Sequence, residues 1–217
     1  MSNKIFAKKC VAALLGIFLV GAGVAFNAGA GLGNDPVGIF YDGIRCMLHL
    51  SSVQLGMASN VVNVAIMIFL VFAGRRYVNI GTFIYIVPYG LFVNLGTWLY
   101  NTLFCFEGFL HQLAGVVVGC LCICLGVAIF IVADIGVDPL TGLALWIGDK
   151  LHWEYRKAKV LLDICLTVIG YVMGGKLGVV TIVTMFLCGP TIQFFSDKVR
   201  KLFQNEKVRR SVAKAEA

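Results

Sequence analysis

Five stretches of this chain, residues 10–34, 46–74, 77–106, 108–133 and 177–196, contain no Asp, Glu, Lys or Arg. Each is long enough to cross a bilayer, whose hydrocarbon core takes about 20 apolar residues of helix. Backbone groups left unpaired there cost several kcal/mol, so a crossing segment has to satisfy its own hydrogen bonds. Only 13% of the residues are charged, 59% are hydrophobic and mean hydropathy is +0.90. A soluble domain has about a quarter of its residues charged, so this balance excludes a soluble enzyme, a disordered chain and a nucleic-acid-binding domain. The chain is expected to be an all-α membrane protein.

Six spans are predicted, at about 10–31, 55–73, 80–103, 110–133, 160–175 and 177–195. The fifth is short and carries Asp163. With the N-terminus in the cytoplasm, sixteen of the eighteen basic residues fall on the cytoplasmic side, and only Arg45 and Lys176 lie opposite. That asymmetry is the one the positive-inside rule produces, so both termini are expected in the cytoplasm of a bacterial inner membrane. A transmembrane domain over 1–197 is followed by a basic tail, 198–217, whose Lys and Arg are interspersed with Leu202, Phe203, Val208 and Val212. Such a segment suits contact with anionic lipid rather than nucleic acid.

Residues 23–44 align without gaps on 126–147, with eight of 22 positions identical: Gly23, Val24, Ala25, Ala30, Gly33, Asp35, Pro36 and Ile44 match Gly126, Val127, Ala128, Ala133, Gly136, Asp138, Pro139 and Ile147. Biased composition alone gives about two such matches. Weaker agreement continues through Asn63 with Asp163, Thr82 with Thr181 and Gly90 with Gly189. Repeats over about 1–106 and 107–197, each crossing three times, would lie in opposite orientations, as in many secondary transporters.

Both repeats carry Gly-x-Asp-Pro. Gly33 and Gly136 suit a helix C-terminus with positive φ, Asp35 and Asp138 suit N-caps, and Pro36 and Pro139 suit the first position of a new helix. That helix, running to about His49 in one copy and Leu151 in the other, is too short to span. Val37, Phe40, Ile44 and Met47, like Leu140, Leu143, Ile147 and Leu151, form an apolar stripe suited to the membrane interface; a re-entrant placement is the alternative. The first span is long enough to set Asp35 at the surface. The element reads either as a structural corner or as a pair of ligand or ion sites at half-helix ends.

Asn27, Asn63, Asn94, Asp163 and Gln193 sit within apolar spans. Amides there commonly join helices. An ionisable residue is a functional-site hypothesis by default, with an ion pair to Arg156 or Lys159 as the alternative for Asp163. Asp134, at the end of the fourth span, is a weaker candidate of the same kind. Gly115 with Gly119 and Gly170 with Gly174 make small faces for close packing, a spacing repeated by Gly29 and Gly33. Cys120, Cys122 and Cys124 lack a neighbouring His at ligand spacing and read as buried packing, while Cys46 and Cys105 are both near the outer face. No nucleophile elbow, phosphate loop or zinc helix is present, so no enzyme activity, cofactor or metal is expected.

The segment from Arg156 and Asp163 through Gly174, Gly175, Gly178, Thr181, Gly189 and Pro190, together with both Gly-x-Asp-Pro elements, resembles the YczE/YyaS/YitT family of small bacterial membrane proteins over about 10–197. Val180 stands where that family commonly has Gly. The resemblance implies a multi-pass protein of permease type and assigns no substrate or catalytic residue. Three functions fit: a small-solute permease working around Asn27, Asn63, Asn94 and Asp163; a membrane scaffold or regulator binding a partner through its tail and the Arg75-Arg76 loop; and a channel. A homo-oligomer is compatible with each.

Overall fold

A computed structural model describes residues 3–104 and 108–215, with side chains described for 6–104 and 108–202. Among the described residues there are eight α-helices and no strand: α1 Asn3–Ala30, α2 Pro36–Met47, α3 Leu55–Ala73, α4 Ile80–Leu103, α5 Phe109–Ala133, α6 Pro139–Leu151, α7 Tyr155–Val172 and α8 Val179–Ala215. Five helical segments are long and apolar enough to cross a membrane: Phe6–Ala30, Ser52–Ala73 (α3 with the 3-10 turn before it), Ile80–Leu103, Phe109–Ala133 and Val179–Leu202. The fifth predicted span, 160–175, is a helix too, but α7 has 18 residues and its first half carries Arg156, Lys157, Lys159 and Asp163. Its charge, not its conformation, sets it apart. α8 continues without a break into the basic tail; the side chains of Phe203, Val208 and Val212 lie outside the described residues, as does Cys105.

The long helices form a row, α4–α1–α5–α8, and the others close a ring in which α2 meets α3 and α7, and α6 meets the same two helices. Glycines set the spacing within the row. A Cβ built on Gly16 would lie 2.7 Å from the Gly126 carbonyl oxygen, and one on Gly23 2.5 Å from that of Gly119. As α1 advances by seven residues α5 recedes by seven, so the two run antiparallel with backbones in contact, the use of small residues expected where helices associate by packing rather than by hydrophobic burial. α4 runs parallel to α1, with Gly21 against Val93 and Gly29 against the Tyr100 ring. Row and ring share one apolar core that includes Ile17, Val24, Tyr41, Val62, Tyr89, Phe130, Leu140 and Leu166.

The short helices are packed inside this bundle. Gly43 meets the Gly170 backbone, and the Cys46 thiol donates to the Gly174 carbonyl at 3.4 Å, so α2 runs alongside the end of α7 in the same direction. α6 does the same against α3: Gly142 touches Leu70, and the Trp146 indole donates to the Ala73 carbonyl at 3.1 Å. Each therefore begins in the interior and runs outward. The predicted interfacial stripe is only part of the buried surface, since Ile39 and Tyr41, both off that stripe, are fully buried while Met47 and Leu151 are exposed. At the outer end of α6 the Tyr77 hydroxyl and Arg76 grip Asp149, and those contacts hold its carboxyl below the ordinary carboxylate range.

The corners differ from the sequence expectation in detail. α1 ends at Ala30, and Gly31 (φ 72°) takes the left-handed step; α5 ends at Ala133, and Asp134 (φ 51°) takes it. Gly33 (φ 105°) and Gly136 (φ 149°) lie two residues beyond those steps, outside the caps. Their positive φ turns the chain toward the half-helix, and the missing Cβ lets Gly33 press against Gly178 and Gly136 against Gly81. The same turn carries the chain back beside α1, because the Asn34 amide donates to the Val24 carbonyl at 3.1 Å. Asp35 is accordingly drawn inward and is not at the surface.

Candidate functional site

The three residues after Gly33 decide what the interior contains. At the start of α6, Asp138 caps as predicted, accepting from the Thr141 amide at 3.0 Å. At the start of α2, Asp35 has the extended backbone of an N-cap but its side chain makes no cap bond; Asn34 Oδ1 accepts from the Asp35 amide at 2.9 Å instead. Asp35 Oδ1 is consequently buried with no hydrogen-bond partner. The charges that act on it come from α7: Lys159 first, then Asp163. Lys159 donates to Asp163, so the ion-pair reading of that acid describes the structure. Capping predicts a contrast: Asp138→Ala should cost about 1 kcal/mol and lower the melting temperature in detergent, whereas Asp35→Ala should not. Equal losses in the two variants would contradict the assignment.

The four residues proposed from sequence are not gathered at one point. Asn27, fully buried, faces α5, with its amide 3.7 Å from the Cys120 thiol. Asn63, also fully buried, donates to the Tyr41 hydroxyl at 3.0 Å and to the Ser59 carbonyl at 2.9 Å, joining α3 to α2. Asn94 accepts from the Gly56 amide at 2.9 Å, and Asn60 accepts from the Gly90 amide at 3.0 Å, so two amides clasp α3 to α4. Asp163 lies in the ion pair on α7. Asp134 is bonded to Lys9, with its carboxylate mostly exposed.

Asn27 alone of the four lines a polar cavity. Its volume is about 220 Å³, and its wall includes Asn34, Asp42, Arg45, Thr97, Asn101 and Lys176. Arg45 is held in place: Nε donates to Asp42 Oδ1 at 2.8 Å, Nη1 to the Leu50 carbonyl at 3.0 Å, and Asp42 Oδ2 accepts from the Lys176 amide at 3.1 Å. The wall thus carries two cationic side chains, one carboxylate, and several amides and hydroxyls. Sequence reasoning did not assign Asp42, Arg45, Asn34 or Lys176. A signal was present: Arg45 and Lys176 are the two bases that the cytoplasmic count leaves over.

The centre between the half-helices is filled by aromatic rings. Tyr85 stacks on Tyr89 with centroids 4.8 Å apart, Tyr41 lies 6.0 Å from Tyr89, and Tyr85 meets Phe130 edge-on at 5.5 Å. Tyr41 and Tyr85 are within electrostatic reach of both Asp35 and Asp138, which places the two half-helix starts around this plug. Among the described residues no group of three or more His, Cys, Asp or Glu is placed to hold a metal ion.

Comparison with known proteins agrees with the resemblance carried by the sequence. An uncharacterized membrane protein, YczE, of Bacillus subtilis is 23% identical over 201 residues, covering 91% of this chain and 90% of that protein. An uncharacterized protein of Haemophilus influenzae is 23% identical over 193 residues, covering 87% of this chain and 84% of its own length. No solved structure matches. A family model matches residues 7–197, nearly the whole helical bundle, and the chain therefore belongs to the family described as a family of unknown function, DUF6198.

Proposed function

We propose that this protein is a permease for a small polar or anionic solute, crossing the membrane six times as two inverted halves with both termini in the cytoplasm. The observation that carries the reading is the cavity: it reaches Asn27 at the α1–α5 crossing and holds Arg45 and Lys176 away from the basic face. At about 220 Å³ it is smaller than the ~300–1,000 Å³ of drug-sized sites, so the solute is small. Its two cations against one carboxylate favour an acid group on the solute.

The contacts support the inverted arrangement. Gly16 and Gly119, like Gly23 and Gly126, are 103 residues apart, so exchanging the halves turns the Gly16–Gly126 contact into the Gly119–Gly23 contact. The Gly81 amide donates to Ile135, and Val180 donates to Leu32, through the same exchange. A continuous pore is disfavoured by the Tyr41, Tyr85 and Tyr89 plug, so passage requires the halves to rearrange, which is alternating access.

Untargeted uptake and export, compared between cells with and without the full chain, tests the reading. The solute that distinguishes them should lose about tenfold or more in rate in Ser52→Trp, which blocks the cavity mouth, and in Asn27→Leu; a lost hydrogen bond to a charged group is worth about that much. Val87→Trp, on an exposed helix face, should change nothing. Unchanged rates in both cavity variants would remove the site.

A further inference from the structure

Asp35 carries an anomaly that the cavity does not explain. One carboxylate oxygen, Oδ1, is enclosed with no donor at hydrogen-bond distance, although the Val37 and Gly38 amides lie near the carboxyl, at a helix start that its pseudo-symmetric counterpart Asp138 caps in the ordinary way. Burying an unpaired charge costs far more than burying a neutral acid, so the structure favours a proton on this oxygen whenever the compensating cation moves away. That cation is Lys159, which donates to Asp163 one turn along α7 and also acts on Asp35 and on Asp138. Three carboxylates thus compete for one ammonium inside the bundle.

The surroundings give the proton a route. On one side, Asn34 and Gly33, the two residues before Asp35, line the polar cavity. On the other, the side chains of Lys159 and Asp163 are 32% and 23% exposed near the start of α7. Asp35 therefore stands between the polar cavity and an ion pair near the start of α7. The remaining groups facing it are Tyr41 of α2, Tyr85 and Tyr89 of α4, Cys120 and Cys124 of α5, and Cys188 of α8.

Resting on the permease reading, we propose that Asp35, facing the Lys159–Asp163 pair, is the proton-carrying group that couples solute movement to a proton gradient. A proton from water in the cavity adds to the Asp35 carboxylate and makes it a neutral acid, leaving Lys159 to Asp163 alone. After the halves rearrange, the acid releases that proton toward the Lys159 side, and the shared ion cluster re-forms. One proton crosses per cycle, and no bond to the solute is made or broken.

Infrared difference spectra of the full chain in lipid vesicles, taken across an acid titration, test the site directly. On acidification the wild type should develop, beside the bands of its other carboxyls, a carboxylic-acid carbonyl band at the high frequency of an acid without a hydrogen-bond partner. Asp35→Asn should lose it, Lys159→Gln should move its midpoint to higher pH by about one unit or more, and Lys159→Arg should restore the midpoint. Absence of the band, its survival in Asp35→Asn, or an unmoved midpoint in Lys159→Gln overturns the proposal; the Lys159 variants decide even if Asp35→Asn does not fold. The uptake comparison, repeated with a protonophore, tests the coupling: accumulation should collapse in the wild type and be lost in Asp35→Asn. Accumulation indifferent to the protonophore overturns the coupling while leaving the permease reading intact. If no solute separates the two cell types, the permease reading itself fails, and the coupling with it.

Discussion

A leucine at Gly23 is expected to abolish recovery of folded protein from detergent, while a leucine at Gly189 leaves yield and melting temperature unchanged. At Gly23 the new side chain would begin 2.5 Å from the Gly119 carbonyl oxygen and 2.7 Å from the Ile123 side chain, with backbone on one side and a core residue on the other. Nothing lies within 4 Å of a Cβ at Gly189. Overpacking a tight site costs about 1–3 kcal/mol and occasionally more. Here the upper end applies, because α1 and α5 touch again at Gly16 and Gly126, and parting them at one point strains the other. Size-exclusion profiles and thermal unfolding in detergent would show it. A Gly23→Leu protein that melts like the wild type would mean the two helices are not in backbone contact.

The second large effect concerns Arg45. Arg45→Met should destabilise the protein by about 3–5 kcal/mol, because the Asp42 carboxylate, only 12% exposed, then keeps a single donor, the Lys176 amide. Asp42→Asn should cost less, since an asparagine can still accept from that amide. In the double variant the penalty should fall below that of Arg45→Met alone, the signature of a charge stranded by loss of its partner rather than of lost packing. Additive losses would show that the two side chains act independently, and would take the rigid wall away from the proposed solute cavity.

Much of the fold was legible because bilayer physics writes large signals. Charge-free runs located the long helices, and Pro36 and Pro139 marked where the short ones begin, within a residue or two at each end. Depth was less legible. The apolar stripe on α2 pointed to the interface, yet Tyr41 and Asn63 satisfy one another inside the bundle, and a helical wheel does not show that a polar face has an internal partner. Asp163 was visible as an ionisable residue within reach of Lys159, and the pair formed. The cavity was not visible, since Asn34, Asp42, Arg45 and Lys176 come from three segments and meet only through the turn at Gly33 and the loop before α8. Asn94 looked like Asn27 in sequence; they differ because Asn94 clasps two helices beside an open apolar groove, whereas Asn27 faces the polar cavity.

Among the described residues the Asn60 and Asn94 clasp has no counterpart: α7 and α8, the pair that would correspond to α3 and α4, are not closely packed. Two identical halves would give an alternating-access protein two conformations of equal energy, each the mirror of the other in function. On the proposed permease reading, a bond pair on one side only would break that degeneracy and make one conformation the ground state. Interhelical hydrogen bonds in membranes average about 0.6 kcal/mol and reach about 1.7, so two of them set a population ratio of roughly tenfold to a few hundredfold. The protein's resting direction would then be written in two asparagines that touch neither solute nor proton.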